Sequence, residues 1–243
     1  ISMSSLKPTK LTAMHYQHLQ LGATMVDDDG WQRPGYYTSK ADELAKIKES
    51  GGICDVSLSG KLMLQGENLD ALLVSAFSAV EPLEVGQNAH CIVLDEDGSG
   101  IDQVLLCRLS QDEVYIITSP DKVRSIVCSL ERRLYECAHL VDVSSGFAAI
   151  KAVGPLSREM LSNLTELNLN PKQFPNLSCA QTKVADLYGL VLRCDEVPQE
   201  SYEVHVERSY GEYLWDAMLE AGRELNVGPT GIEALKLLIS ENQ

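Results

Sequence analysis

The chain has 243 residues, 44% of them hydrophobic and 23% charged, so it can bury a substantial core as one large domain or two small ones. Its formal net charge of −15 argues against nucleic acid or an anionic membrane as partner, since clustered Lys and Arg side chains bind those. No apolar run approaches the roughly 20 residues of a membrane-spanning helix, and the scattered cysteines lack a C-x-x-C pair, which is typical of a reducing compartment. We therefore expect a cytoplasmic protein that binds neither nucleic acid nor membrane.

The first half of the chain opens with a helix pattern. Thr38 and Ser39 form a capping signal for a helix over 40–50, and Gly51-Gly52 ends it. Residues 53–66 alternate between apolar and polar side chains and are predicted to form one strand, followed by a helix over 68–77. Three more strands are predicted in close succession, at 89–95, 103–109 and 113–118. The turn Asp97-Gly98-Ser99-Gly100 joins the first two as a hairpin, so this region predicts an antiparallel sheet.

The second half mixes helices and strands in a looser order. Ser119, Pro120 and Asp121 are typical of a helix start, and the helix is predicted to run to about Cys137. Four strands are predicted at 146–153, 178–183, 189–194 and 201–206. Helices are predicted at 156–167, 211–225 and 231–239. Because the elements do not alternate regularly, the sequence predicts an α+β fold of two layered lobes, with antiparallel or mixed sheets and flanking helices.

Several clusters have both a functional and a structural interpretation. His15 and His18 share a helical spacing, but no acidic or Cys pattern with zinc spacing accompanies them, so packing is favoured over a metal site. The acidic run at 27–29 is interpreted as a solvated loop rather than a calcium site. His90 and Cys91 are neighbours in a predicted strand and point to opposite faces, which disfavours a dyad between them. We predict no metal site.

A longer series of motifs runs from residue 18 to residue 73. Its pieces are His18, Leu21-Gly22-Ala23, Met25-Val26, Gly30-Trp31, Pro34, Tyr37, Asp42-Glu43, the segment 52–57, Gly60-Lys61, Leu64 and Gly66. In order and spacing they resemble the opening of the aminomethyltransferase family, the folate-binding T-protein of the glycine cleavage system. A weaker match continues to about Leu238, where full-length members carry a further C-terminal β-barrel domain. The resemblance therefore predicts the N-terminal module of that fold without the barrel.

The resemblance implies a fold and an activity. It places residues 1–56 together with 138–243 in a first lobe and residues 57–137 in a second lobe. It implies tetrahydrofolate as cofactor, bound between the lobes, and transfer of an aminomethyl or methyl group in one-carbon metabolism. The donor would be a small molecule or a carrier protein, and a partner subunit could complete the site.

The resemblance also implies site residues. Asp102 falls at the position of the family's catalytic Asp, where a carboxylate can accept a proton or stabilise positive charge near the folate nitrogens. Its structural alternative is an Asp at a strand start that accepts backbone N–H groups. The predicted cofactor-binding residues at matched positions are His90, Gln103, Thr118, Gln199 and Tyr202.

The chain departs from the family pattern at several of these positions. His90, Gln103 and Thr118 stand where the family has Tyr, Asp and Asn, and Ile232 stands where it has Arg. The family has a Gly-rich stretch that contains a pterin-binding Glu, and this chain has the segment 194–201 in its place. Two hypotheses follow: a folate-dependent one-carbon transferase with Asp102 in its site, or a non-catalytic relative that binds a folate-like small molecule or a partner enzyme. Titration with tetrahydrofolate would discriminate between them.

Overall fold

The computed structural model describes residues 10–28, 30–78, 82–134, 138–196 and 198–241. Within these ranges the α-helices are α1 (His15–Gln20), α2 (Lys40–Glu49), α3 (Leu69–Ala76), α4 (Val123–Glu131), α5 (Ser157–Ser162), α6 (Gly211–Arg223) and α7 (Ile232–Ser240). The first strands are β1 (Lys10–Leu11), β2 (Thr24–Asp28), β3 (Trp31–Tyr36), β4 (Gly52–Asp55), β5 (Gly60–Gly66), β6 (Asn88–Leu94) and β7 (Gly100–Ser110). The others are β8 (Glu113–Thr118), β9 (Ala138–Asp142), β10 (Phe147–Val153), β11 (Ser178–Val184), β12 (Leu187–Arg193), β13 (Ser201–Glu207) and β14 (Gly228–Pro229). The predicted α+β class is confirmed.

Two sheets carry most of the fold. One has six strands in the order β11-β12-β13-β10-β4-β14 and the other has five in the order β6-β7-β8-β5-β9. Neighbours in the five-stranded sheet are all antiparallel, as predicted. Trp215 and Tyr202 belong to the core against the six-stranded sheet, and Leu62 and Ile116 to the core against the five-stranded sheet. Each sheet therefore has a hydrophobic core of its own.

The segment 53–66 is two strands, not the one that its alternating pattern predicts. β4 pairs with β10 in the six-stranded sheet, whereas β5 pairs with β8 and β9 in the five-stranded sheet. Between them a turn forms, in which Asp55 accepts a hydrogen bond from the Ser57 N–H (2.9 Å) and the Ser59 N–H donates to the Val56 carbonyl (3.2 Å). The chain thus crosses from one sheet to the other at residues 56–59.

Three further predictions are corrected. The acidic run at 27–29 was expected in a loop, but Asp27 and Asp28 belong to β2, which pairs with β3. Residue 29 lies outside the described residues. The predicted helix 156–167 ends at Ser162 as α5, and the helix expected from residue 119 is α4, which begins at Val123. The same helix ends at Glu131, earlier than predicted, and the described residues 132–134 are not helical; Cys137 itself lies outside the described residues.

The N-terminal part of the chain is fixed by a buried ion pair. His18 Nε2 lies 3.0 Å from Asp55 Oδ2, and neither side chain is exposed to solvent. The other ring nitrogen, Nδ1, lies 2.9 Å from the Tyr37 hydroxyl. Although burial opposes ionisation, the hydrogen bond with His18 lowers the pKa of Asp55. His18 therefore serves packing and polar satisfaction of the core, and in the described part of the chain we find no cluster of His, Cys, Asp and Glu suited to a metal.

The division into lobes of 1–56 with 138–243 and of 57–137 stays a prediction. The two sheets follow it broadly, except that β9 pairs with β5 and so carries the five-stranded sheet on to Asp142. None of the described helices is long and apolar enough to cross a membrane.

Candidate functional site

A cleft of about 700 Å³ lies where the two sheets approach each other. Small-molecule sites in proteins commonly have volumes of roughly 300 to 1,000 Å³, so this cleft can hold a drug-sized ligand. Its polar lining comes from seven helices and strands and from the loops between them: Arg33, Ser59, His90, Asp102, Gln103, Thr118, Ser119, Lys151, Glu196, Glu203 and Lys236, together with the thiol of Cys194. The turn at 56–59 that joins the two sheets forms part of the wall.

Asp102 lies at one side of the cleft and is held by three hydrogen bonds. Its Oδ2 accepts from the Thr118 hydroxyl (2.6 Å) and from the Ser119 N–H (2.9 Å), and its Oδ1 accepts from the Ser119 hydroxyl (3.2 Å). Ser119 lies shortly before α4, which begins at Val123. The Asp102 carboxylate therefore also pairs with a backbone N–H group that precedes this helix. Both interpretations of Asp102 thus describe the same side chain: it is oriented by its own fold, and it lines the cleft.

An ion cluster lies on the six-stranded side of the cleft. Lys151 on β10 donates to Glu196 Oε1 (2.7 Å) and lies 3.3 Å from Glu203 Oε1 on β13. Burial opposes the charge on both groups. Attraction to Glu203 and Glu196 nevertheless raises the pKa of Lys151, and attraction to Lys151 together with the hydrogen bond from His205 lowers the pKa of Glu203 to about 2. Both side chains are therefore ionised at neutral pH, and the cluster is a fixed charge pattern in the cleft wall.

Glu203 begins a chain of side chains that leads to a second cavity. His205 Nε2 lies 3.1 Å from Glu203 Oε2, and its Nδ1 lies 3.2 Å from the Tyr115 hydroxyl. Burial lowers the pKa of His205, so the neutral ring donates to Glu203 and accepts from Tyr115. Tyr115 and His205 line a cavity of about 450 Å³ beside the first, together with Met63, Leu109, Phe147 and Tyr188. The two cavities therefore share a hydrogen-bonded wall.

His90 meets a cysteine that is distant in sequence. Its Nε2 lies 3.0 Å from Cys194 Sγ, and both residues line the cleft. Burial lowers the pKa of His90 and raises the pKa of Cys194 to about 11. The pair is therefore an uncharged imidazole and an uncharged thiol at neutral pH.

A cationic corner lies at the end of the cleft beside α7. Arg33 pairs with Asp28 through Nη1 (2.9 Å), and its Nε is buried with no hydrogen-bond partner among the described residues. Lys236 on α7 is exposed and lines the same end, as does Ile232. The buried Nε is not accessible to a ligand, so what this end of the cleft presents is the positive charge of Arg33 and Lys236. This corner is suited to an anionic group.

The structure brings four of the six sequence-predicted site residues together. His90, Asp102, Gln103 and Thr118 line the cleft. Gln199 and Tyr202 do not. Tyr202 is fully buried in the core of the six-stranded sheet, and its hydroxyl donates to Glu200 (3.2 Å).

Sequence analysis missed every charged residue of the cleft except Asp102, namely Arg33, Lys151, Glu196, Glu203 and Lys236. A signal for one of them exists in β13, where Tyr202, Val204 and Val206 occupy the core face. Since side chains alternate along a strand, Glu203 and His205 must face the opposite side. Glu203, which lies between Tyr202 and Val204, was therefore the candidate for the cleft, and Tyr202 was not.

Comparison with known proteins identifies the family. Residues 14–243 match the family model described as GCVT N-terminal domain. The aminomethyltransferase of Halothermothrix orenii is 26% identical over 226 residues, which cover 93% of this chain and 63% of the relative. Sarcosine oxidase subunit alpha of Rhizobium meliloti is 24% identical over 253 residues, which cover 96% of this chain and 25% of the relative. The chain thus spans less than two thirds of the length of these relatives.

A solved structure shows the same fold. The glycine cleavage system aminomethyltransferase T from Bartonella henselae superposes with a TM-score of 0.83 at 17% sequence identity, covering 96% of this chain and 62% of that chain. At this identity the likeness establishes the fold alone. Because the family model covers nearly the whole chain, the protein belongs to the aminomethyltransferase family of the glycine-cleavage T-protein, in the part described as its N-terminal domain.

Proposed function

We propose that the cleft binds a reduced folate and that the chain supplies the folate-binding part of a one-carbon transferase. The observation that carries this proposal is the carboxylate of Asp102, which lines the cleft and is held in one orientation by three hydrogen bonds. The sequence resemblance assigns it the position of the family's catalytic Asp. A fixed carboxylate can stabilise positive charge that develops on a bound amine.

The residues of the cleft fit a folate. Its volume is in the range of cofactor sites, and the positive charges of Arg33 and Lys236 match the carboxylates that a folate carries on its glutamate tail. When bound, tetrahydrofolate would supply the nitrogen atoms that accept the one-carbon unit. Asp102 would orient the reduced ring or hold a proton, while Lys151 with its glutamates would exclude water from one wall.

The donor of the one-carbon group is proposed at the level of chemical class. It is a small amine or methylated compound, or a carrier protein that presents an aminomethyl group, as the name of the aminomethyltransferase relatives implies. A relative named as a subunit of sarcosine oxidase supports a partner subunit that completes the site. A cytoplasmic location stays a prediction.

The second candidate function is a non-catalytic relative that binds a folate-like small molecule or a partner enzyme. The hydrogen bonds of Asp102 favour it, because a carboxylate with three donors from its own chain is already satisfied without a substrate. The two candidate functions differ in whether ligand binding depends on the charge of Asp102.

Titration calorimetry with tetrahydrofolate and its 5-methyl and 5-formyl forms tests the proposal. Three or four family contacts are changed, and at about 1 kcal/mol each they weaken binding by about 100- to 1,000-fold, so we expect weak binding by the chain alone. Asp102→Asn keeps the shape and removes the charge, and it should weaken binding about tenfold further.

The matched control is Asp112→Asn, which removes an exposed charge in the turn after β7, outside the cleft. It should leave affinity unchanged. Equal affinity of the wild type and Asp102→Asn would contradict the role of Asp102. No heat of binding with any of the three folates at millimolar concentration would contradict the folate site itself.

A further inference from the structure

Two residues from distant parts of the chain meet in the cleft. His90 lies on β6, and Cys194 follows directly after β12. They are 104 residues apart in sequence, yet His90 Nε2 and Cys194 Sγ lie 3.0 Å apart. Both line the cleft beside Asp102 and Lys151. A nucleophile and a base within about 2.6 to 3.2 Å of each other are the signature of an activated nucleophile.

The charges around the pair determine how its proton is placed. At neutral pH the thiol holds its proton and the imidazole is uncharged, because burial disfavours the charged form of each. Glu196 and Glu203 favour an imidazolium at His90, whereas Lys151 opposes it. At Cys194 the order is reversed: Lys151 favours a thiolate, while Glu203, Glu196 and Asp195 oppose it. The thiol therefore holds its proton at neutral pH, and the neutral imidazole of His90 lies within reach of that proton.

We propose that Cys194 is a nucleophile in the cleft, with His90 as its base, and that it forms a reversible adduct with a one-carbon electrophile at the oxidation level of an aldehyde. The nature of the electrophile rests on the proposed one-carbon function, whereas the nucleophile rests on the geometry alone. The thiol lines the same cleft as the carboxylate of Asp102, so an adduct would hold the one-carbon group inside the proposed folate site.

The step conserves atoms and electrons without an oxidant or reductant. The sulfur lone pair attacks the carbonyl carbon, the S–C bond forms and the C=O π bond breaks. The thiol proton passes to His90 Nε2 and from there to the carbonyl oxygen. The product is an S-hydroxymethyl thioether on Cys194, and reversal of the same path releases the aldehyde.

Carbon-13 NMR with labelled formaldehyde tests the adduct on the folded chain. We expect a thioether methylene resonance in the wild type that is lost in Cys194→Ser and in Cys194→Ala. Cys128→Ser is the matched control, because Cys128 is an exposed free thiol on α4 and does not line the cleft. It should retain the resonance. A resonance that survives both Cys194 substitutions, or no thioether resonance in the wild type, would overturn the proposal.

Alkylation kinetics test the role of His90. Iodoacetamide is applied over pH 5 to 9, and the rate at Cys194 is followed by mass spectrometry of its peptide. With His90 as base, the rate should level off once the imidazole has lost its proton. In His90→Asn and His90→Gln it should rise steadily toward the pKa of the thiol and be at least about tenfold lower at pH 7. The same profile in the wild type and both variants would show that His90 is only a packing neighbour.

The two proposals fail in different ways. The formaldehyde adduct and the alkylation profile need no folate, so they stand or fall independently of calorimetry. Folate binding without an adduct would refute the Cys194 nucleophile and leave the folate site intact. An adduct without folate binding would keep the nucleophile and refute the folate site.

Discussion

At the scale of single residues, the cleft is dominated by charges that the six-stranded sheet buries. Lys151 is 8% exposed at its side chain and Glu203 is 16% exposed, and each depends on the other for its charge. Ion pairs of this kind add little net stability compared with apolar residues, but removing one partner leaves an unpaired buried charge. The charges of the site are therefore coupled to the stability of β10 and β13.

Lowering the pH should reveal this coupling between the charge of Glu203 and the stability of the fold. The pKa of Glu203 is lowered from 4.5 to about 2, so its stabilising contribution is complete above pH 4.5 and is lost as the pH falls toward 2. The difference corresponds to about 3 kcal/mol. We expect Glu203→Gln to lower the free energy of unfolding at pH 7 by roughly 2–4 kcal/mol and to flatten its dependence on pH between 4.5 and 2. Urea unfolding at several pH values measures both.

Glu207→Gln is the control for this prediction, since Glu207 is exposed at the end of the same strand. It should change stability by less than about 0.5 kcal/mol. A Glu203→Gln variant as stable as the wild type at pH 7 would mean that Lys151 is satisfied by Glu196 alone.

The guanidinium of Arg33 in the cleft wall yields a prediction about ligand selectivity. Arg33→Met keeps much of the apolar volume and removes the guanidinium. If that group binds the carboxylates of a folate, the variant should bind tetrahydrofolate about tenfold more weakly, the loss of about one charge-assisted hydrogen bond. Its affinity for a reduced pterin without the glutamate tail should not change. Equal losses for both ligands in calorimetry would assign Arg33 to the ring instead.

At the scale of elements, one buried carboxylate joins two helices to a strand end. Glu43 on α2 is 2% exposed. Its Oε1 accepts from the N–H groups of Tyr37 (2.5 Å) and Thr38 (2.9 Å), and its Oε2 accepts from the Gly231 N–H (2.8 Å) just before α7. The starts of α2 and α7 are therefore fixed to each other, and α7 carries Ile232 and Lys236 into the cleft.

Removing this carboxylate should cost more than removing an ordinary helix cap. Glu43→Ala leaves three N–H groups without their partner, and at about 1–3 kcal/mol for each buried donor we expect a loss of at least about 3 kcal/mol. The comparison is Ser39→Ala, because Ser39 caps the same helix through the Asp42 N–H (3.1 Å) and should cost about 1 kcal/mol. Thermal and urea unfolding of both variants measure the two losses in the free energy of unfolding. Similar losses would show that solvent replaces Glu43.

At the scale of the whole molecule, the two sheets are joined by backbone bonds at one edge. Asn88 on β6 donates through Nδ2 to the Ser178 carbonyl (2.8 Å), and its N–H donates to the Leu177 carbonyl (2.8 Å). The Cys179 N–H donates to the Gly86 carbonyl (2.8 Å) next to it. These bonds join β6 of one sheet to β11 of the other, so the cleft between the sheets has a fixed width at this edge.

Asn88→Ala tests this junction. It removes the side-chain bond and keeps the backbone bonds, so we expect a loss of about 1–2 kcal/mol in the free energy of unfolding. Hydrogen exchange should increase in β6 and β11 more than in β4. Exchange that rises uniformly over both sheets would mean that the junction does not control their relative position.

The sequence by itself determined the elements whose signals are local. The Ser39 cap marks the start of α2, and the glycines after Glu49 mark its end. The strand β8 occupies the predicted residues 113–118. Both were predictable because caps, turns and period-two alternation depend only on residues near in sequence. The motifs from His18 to Leu73 were sufficient to predict the family, and matched positions predicted that Asp102, His90 and Thr118 share one region, which the structure places in the cleft.

Only the tertiary structure decided which distant residues meet and which face each strand presents. An alternating run such as 53–66 does not show that its two halves belong to different sheets, since the period is the same in both. The contact of His90 with Cys194 joins residues about a hundred positions apart, and attraction to Glu196 and Glu203 raises the pKa of Lys151 although burial opposes its charge. Alternation sets which side chains share a face, but burial and charge depend on what packs against that face.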